Sequence, residues 1–150
     1  MPQSYYAMYY HIVFSTKSRN TYIKSKIKNR LYQYINGIIE NNEGKTLAIG
    51  GTDDHLHILL SINGKIELMN LIRDIKANSS KWANETLELD YQFGWQNGYA
   101  AFTVSYSNLE QVRNYIENQE EHHKHSDFKN EFILLLQKHN IAFDEKYIFV

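Results

Sequence analysis

The chain has 150 residues, 43% of them hydrophobic, a net charge of −1 and no cysteine. That size suits one domain, able to bury about 68–70% of its unfolded surface in a single core. The missing cysteines exclude disulfides and thiolate metal sites, so any metal must use His, carboxylate, amide or substrate oxygens. No apolar run is long enough to span a bilayer, and Met-Pro-Gln-Ser-Tyr at the N-terminus lacks a signal-peptide pattern, so a cytoplasmic protein without membrane contact is expected.

In chain order, residues 5 to 16 are rich in aromatic and β-branched types and predict a first strand. Ile23, Ile27, Leu31, Ile35 and Ile38 recur at three- and four-residue steps, predicting an amphipathic helix over 22–41. Residues 1 to 39 hold six basic residues and no Asp or Glu. A cationic face can therefore form on a neutral protein, either as an ordinary solvated helix surface or as a phosphate contact. Lys24, Lys28 and Arg30 on this helix, with Lys76 on the next, are the candidate nucleic-acid contacts.

Residues 45–49 predict a short second strand, Gly50-Gly51 a turn, and residues 54–62 a third strand. Alternation along that strand puts His55 and His57 on one side, roughly 7 Å apart, with Leu56, Ile58 and Leu60 on the other. Two imidazoles so placed can share one metal ion, although half-buried, hydrogen-bonded histidines are the plainer reading. Asp53 shares their parity and could replace or support Gln119 at such a site, although an aspartate at a strand start is usually a turn residue only.

Leu68, Leu71, Ile72, Ile75 and Trp82 mark a second helix over 66–84, in which Ser79 and Ser80 make room for a neighbour or bond a phosphate. Asn97-Gly98 precedes an alternating strand within 91–106, and Ser107 with Glu110 predicts a capping box for the next helix. Helical spacing there places Tyr115, Gln119 and His122 or His123 on one stripe. His122, His123 and His125 read as a polar helix end or, with Glu121, as a second metal site; His11 and His139 have no evident partner. A last helix is expected from Ser126 to His139 and a last strand from Ile141 to Val150. The order β-α-β-β-α-β predicts an α+β, ferredoxin-like split βαβ antiparallel sheet with helices on one face and an additional C-terminal nucleophile helix, in one domain over residues 1–150.

The succession of Asp54-His55-Leu56-His57, Ser79-Ser80-Lys81-Trp82, Trp95-Gln96-Asn97-Gly98-Tyr99, Tyr115-x-x-x-Gln119 and His122-His123 resembles the single-tyrosine HUH transposases of small bacterial insertion sequences, including the REP-associated type. The resemblance spans nearly the whole chain. It implies His55 and His57 as metal ligands, Gln119 as the third, and Tyr115 as the nucleophile. Ile116, Asn118 and Gln119 offer no second tyrosine, unlike the replication-initiator and helitron branches. A phenol with a pKa near 10 is almost wholly protonated at neutral pH, so a cation beside the reacting oxygens makes chemical sense. An all-neutral ligand set suits Mg²⁺ or Mn²⁺ held weakly until a phosphate arrives.

The implied reaction is cleavage and rejoining of single-stranded DNA with hairpin ends through a 5′-phosphotyrosine, by a homodimer with composite sites. Two alternatives stand beside it. Twelve tyrosines on a ferredoxin-like sheet could stack single-stranded RNA without catalysis, and a host-domesticated relative could cut chromosomal repeats.

Overall fold

The computed structural model describes residues 2–149. Four strands, β1 (Tyr9–Ser15), β2 (Lys45–Gly51), β3 (His55–Ser61) and β4 (Ala100–Val104), form one sheet in the order β2-β3-β1-β4, every neighbouring pair antiparallel. With helices α1 (Ser25–Asn41) and α2 (Leu68–Thr86) as crossovers, this is the expected α+β, ferredoxin-like arrangement.

Even-numbered residues of β1 and β3 point to α1 and α2. Ile12, Phe14, Leu56, Ile58 and Leu60 are fully buried and join Leu31, Ile35, Ile39, Ile72 and Ile75 in the main core. Ser79 is buried in α2 because Trp95 Nε1 donates to its Oγ at 2.9 Å, which fulfils the packing alternative for that serine.

Odd-numbered residues face a second helical layer of α3 (Leu109–Glu117), α4 (Gln119–His122) and α5 (Phe128–Lys138). Ile116 packs on Ala48 and Leu59, while Phe128 and Phe132 pack on Val13 and Phe102. Gly50 sets how closely α3 can lie: a Cβ there would sit 2.1 Å from the Ile116 carbonyl oxygen.

Several expectations at the chain's ends and turns are corrected. The first strand begins at Tyr9, where Ser61 of β3 is available as partner, and Tyr5 and Tyr6 are exposed. The capping box does not form, because a 3-10 turn over Tyr106–Asn108 precedes α3 and Ser107 bonds Ser105 instead. No strand follows α5 within residues 141–149, which hold only a 3-10 turn at Glu145–Tyr147. Ile148 and Phe149 pack on the Phe128 and Phe132 cluster and Gln96 Nε2 donates to the Ile148 carbonyl, so the tail is held by side chains and not by sheet pairing; Val150 lies outside the described residues.

Candidate active site

The register of the sheet assembles the site. His57 lies opposite Val13 and His11 opposite Leu59, so His11 and His57 are diagonal neighbours on the odd face. Their rings stack with centroids 5.0 Å apart, and His11 Nε2 lies 2.8 Å from His57 Nδ1. Burial, then the neighbouring His57, pushes His11 down to about 3, so it is neutral and able to share one hydrogen with its neighbour. Burial likewise pushes His57 down to about 4, against the opposing pull of Glu131.

His55 is oriented from the other side. Asp54 Oδ1 lies 2.9 Å from His55 Nδ1 and Thr52 Oγ1 3.1 Å from it. Burial would raise the Asp54 carboxyl, but its bond to His55 prevails and holds it below the usual range. An Nδ1–H donated to that carboxylate leaves Nε2 as a lone pair, the arrangement of a metal-ligating histidine with its outer partner. Asp53, the residue with strand parity, is exposed, and its carbonyl receives the Ile23 N–H at 2.9 Å. It supports the loop and not the histidines.

The tyrosine helix comes to this pair within the same chain. The Tyr115 ring stands edge-on to His57 with centroids 5.7 Å apart. One turn on, Gln119 is 1% exposed and places Oε1 2.8 Å from His55 Nε2. Its Nε2 donates to Glu131 Oε2 at 3.1 Å, which fixes the amide so that Oε1 faces the imidazole.

Glu131, from α5, completes the site and was absent from the sequence reading. Its Oε1 lies 3.0 Å from His57 Nε2, 3.2 Å from His123 Nε2 and 3.6 Å from His55 Nε2. Its Oε2 accepts from Gln119 and from the Tyr115 hydroxyl. Burial alone would raise this carboxyl, but the bonds from His123 and His57 outweigh it and hold Glu131 well below the usual range. Burial, then the Glu131 charge, pushes the Tyr115 phenol well above its ordinary value. Burial would lower His123, yet the bond to Glu131 and its charge raise it on balance. His123 thus belongs to this site and not to a separate one with Glu121, while His122 packs on the Tyr115 ring at 4.7 Å.

The donor chemistry fits a divalent metal. His55, His57 and Glu131 each offer a ligand atom, all within 4.8 Å of one another. The Gln119 oxygen faces His55 Nε2 at 2.8 Å, a separation spanned by an Nε2–H donated to the amide oxygen or, with Nδ1–H given to Asp54, by a cation between the two acceptors. Adjacent octahedral ligands at about 2.1 Å from an ion stand roughly 3 Å apart, the scale of these separations. Glu131 offers a hard anionic oxygen beside the all-neutral set of His55, His57 and Gln119 expected from sequence.

The four basic candidates do not gather at the tyrosine. Lys24 is exposed at the start of α1 and donates to Thr21 Oγ1 at 3.2 Å. Lys28 pairs with Glu120 at 2.9 Å and reaches the Gly51 carbonyl, in a cavity shared with Gln119. Arg30 lies 5.9 Å over the Trp82 ring. Lys76 donates to the carbonyls of Asn97 and Gly98 at 3.1 and 2.9 Å, and partial burial pushes it down to about 8.

Comparison with known proteins bears on family and fold. Residues 4–119 match the profile of the family described as IS200-like transposases. The chain is 24% identical over 119 residues to the ISDra2 transposase TnpA of Deinococcus radiodurans, covering 76% of this chain and 85% of that protein. Among solved structures, a transposase candidate from Deinococcus radiodurans R1 superposes with a TM-score of 0.62 at 22% identity, over 79% of this chain and 96% of that one. A REP-associated tyrosine transposase bound to a REP hairpin superposes with a TM-score of 0.58 at 14% identity, over 77% and 69% of the two chains. Both likenesses are of fold. The profile match covers most of the sequence, and on that ground the chain belongs to the IS200-like transposase family.

Proposed function

We propose that the protein is a metal-dependent HUH-type nuclease and strand transferase that cuts and rejoins single-stranded DNA at hairpin-bearing ends. The observation that carries this reading is the convergence of the Tyr115 hydroxyl, both His Nε2 atoms and the Gln119 amide on the Glu131 carboxylate. A core tyrosine would need one partner for its hydroxyl. It would not need two imidazoles and an amide around that partner as well.

In this reading Tyr115 Oη attacks the phosphorus of a DNA phosphodiester. Glu131 Oε2, which accepts the hydroxyl hydrogen, orients Oη, and the proton leaves to solvent as the Oη–P bond forms. The new bond is Oη–P and the broken bond is P–O3′. The departing 3′-oxygen takes up a proton from solvent and becomes a free 3′-OH, while the 5′-phosphate stays on Tyr115. Reversal by a 3′-OH from another DNA end restores the phenol and joins the strands. His55, His57, Gln119 and Glu131 Oε1 would hold Mg²⁺ or Mn²⁺, which supplies polarisation of the phosphate and charge neutralisation. Asp54 and His11 keep the two imidazoles turned inward.

The homodimer enters this proposal as a way to bring two DNA ends together, since each chain already contains every group of one site. The exposed cationic surface of α1, including Lys24 and Arg30, is the proposed phosphate contact. A stacking platform for RNA is disfavoured because helices cover both faces of the sheet. Labelled single strands from the DNA flanking the coding sequence should be cut in Mg²⁺ and left whole in excess EDTA, with binding retained. Full cleavage under EDTA contradicts the metal role.

A further inference from the structure

A cleft of about 670 Å³ opens beside the tyrosine between the end of β4, α3 and α5. That volume lies within the roughly 300–1,000 Å³ of sites that hold small organic groups. Its inner end reaches His11, Tyr115 and Glu131, and its walls include Val104, Val112 and Leu135. His139 and Lys138 line it from the end of α5. The α5 wall lies beyond residue 119, outside the span shared with the family.

His139 is exposed, yet its ring is held in place. It lies on the Phe102 ring with centroids 4.0 Å apart and planes within 19°. His139 Nδ1 is 2.9 Å from the Leu135 carbonyl oxygen, so Nδ1–H donates there and the ring cannot turn freely. Phe102 is 3% exposed and fixed in the Val13, Phe128 and Phe132 cluster. A ring braced from beneath loses little freedom when a second flat group stacks on it.

The occupant follows from the lining. Aliphatic walls and a braced imidazole accept a flat, uncharged heterocycle, whereas the carboxylates of Glu121 and Glu131 disfavour a polyanion filling the same space. Lys138 adds a cation suited to the phosphate attached to such a group. We propose that this cleft is a nucleobase pocket, in which His139, backed by Phe102, stacks one unpaired base of single-stranded DNA next to the phosphate that Tyr115 attacks. The inference rests on the DNA-cleaving reading above and adds to it a specific place for a base.

The test is equilibrium binding of the full-length protein in EDTA to two fluorescent probes, a short oligothymidylate and an abasic oligomer of equal length and charge. Base–aromatic stacking is worth about 1–3 kcal/mol, so wild type should prefer the thymidylate by about tenfold or more. His139→Ala should lose most of that preference while binding the abasic probe as wild type does, and His139→Phe should keep it. An unchanged preference in His139→Ala, an equal loss in His139→Phe, or an equal weakening of abasic binding overturns the pocket. Failure of wild type to bind either probe instead removes the DNA-cleaving reading, and the pocket with it.

Discussion

The two faces of the same strands do different work. On β3, Leu56, Ile58 and Leu60 meet α1 and α2 in a dry core, while His55 and His57, one residue out of phase, meet α3, α4 and α5 in a polar cluster. All five side chains are fully buried. Burial therefore does not distinguish stability from chemistry here; partners do. The apolar face needs only volume, whereas each imidazole on the other face has one nitrogen held by an outer group, Asp54 or His11, and one turned to Glu131.

The largest effects should separate the faces. His57→Ala removes a proposed metal ligand and should lower cleavage by at least about a hundredfold, with modest loss of thermal stability. Leu56→Ala, its neighbour on the dry side, should cost about 2–5 kcal/mol of folding stability and leave the activity of the folded fraction intact. Cleavage assays and denaturant melts of the two variants check this. Equal profiles for both would break the comparison.

Glu131→Gln comes next, because it keeps the shape and a hydrogen-bond acceptor but removes the charge. Affinity for Mn²⁺, followed by calorimetry with the phosphate-free protein, should fall by about tenfold or more. Undiminished metal affinity would make Glu131 a structural partner of Tyr115 and His57 only.

The smallest effect concerns pH. In metal-free protein the folded values of His11 and His57, about 3 and about 4, lie below their ordinary 6.5. Between about pH 4 and 6.5 the unfolded chain binds protons that the folded chain refuses, so stability rises with pH across that window, by at most ~1.4 kcal/mol per unit for each histidine. His11→Phe should remove about half of this slope in melts with EDTA. An unaltered slope would mean that His11 is not the buried neutral partner of His57.

Much of the site was legible because it obeys simple periods. A strand's alternation places His55 with His57, and a helix's turn places Tyr115 with Gln119. Glu131 escaped although it left a sign: it stands on the apolar stripe of Phe128, Phe132 and Leu135, where a carboxylate needs buried partners. Attention to that misplaced charge could have found it. His11 could not be paired with His57 before the register of β1 on β3 was known, since neither spacing nor composition carries cross-strand alignment. Asp54 replaced Asp53 because β3 begins at His55, so strand parity does not extend to the loop before it. The tail failed as a strand for a related reason: its apolar residues pack on α5, and composition alone cannot name the surface they will cover.

The central claim is that one chain supplies both the histidines and the attacking tyrosine. Its most direct test is a denaturing gel of the protein incubated with labelled single-stranded DNA and Mg²⁺, comparing wild type, Tyr115→Phe, and Tyr115→Phe co-expressed with His57→Ala. Wild type should form a covalent protein–DNA adduct, Tyr115→Phe none, and the mixed pair none, because neither chain then holds a complete site. An adduct with Tyr115→Phe alone would assign the nucleophile elsewhere, and an adduct restored only in the mixed pair would show that the site is shared between chains.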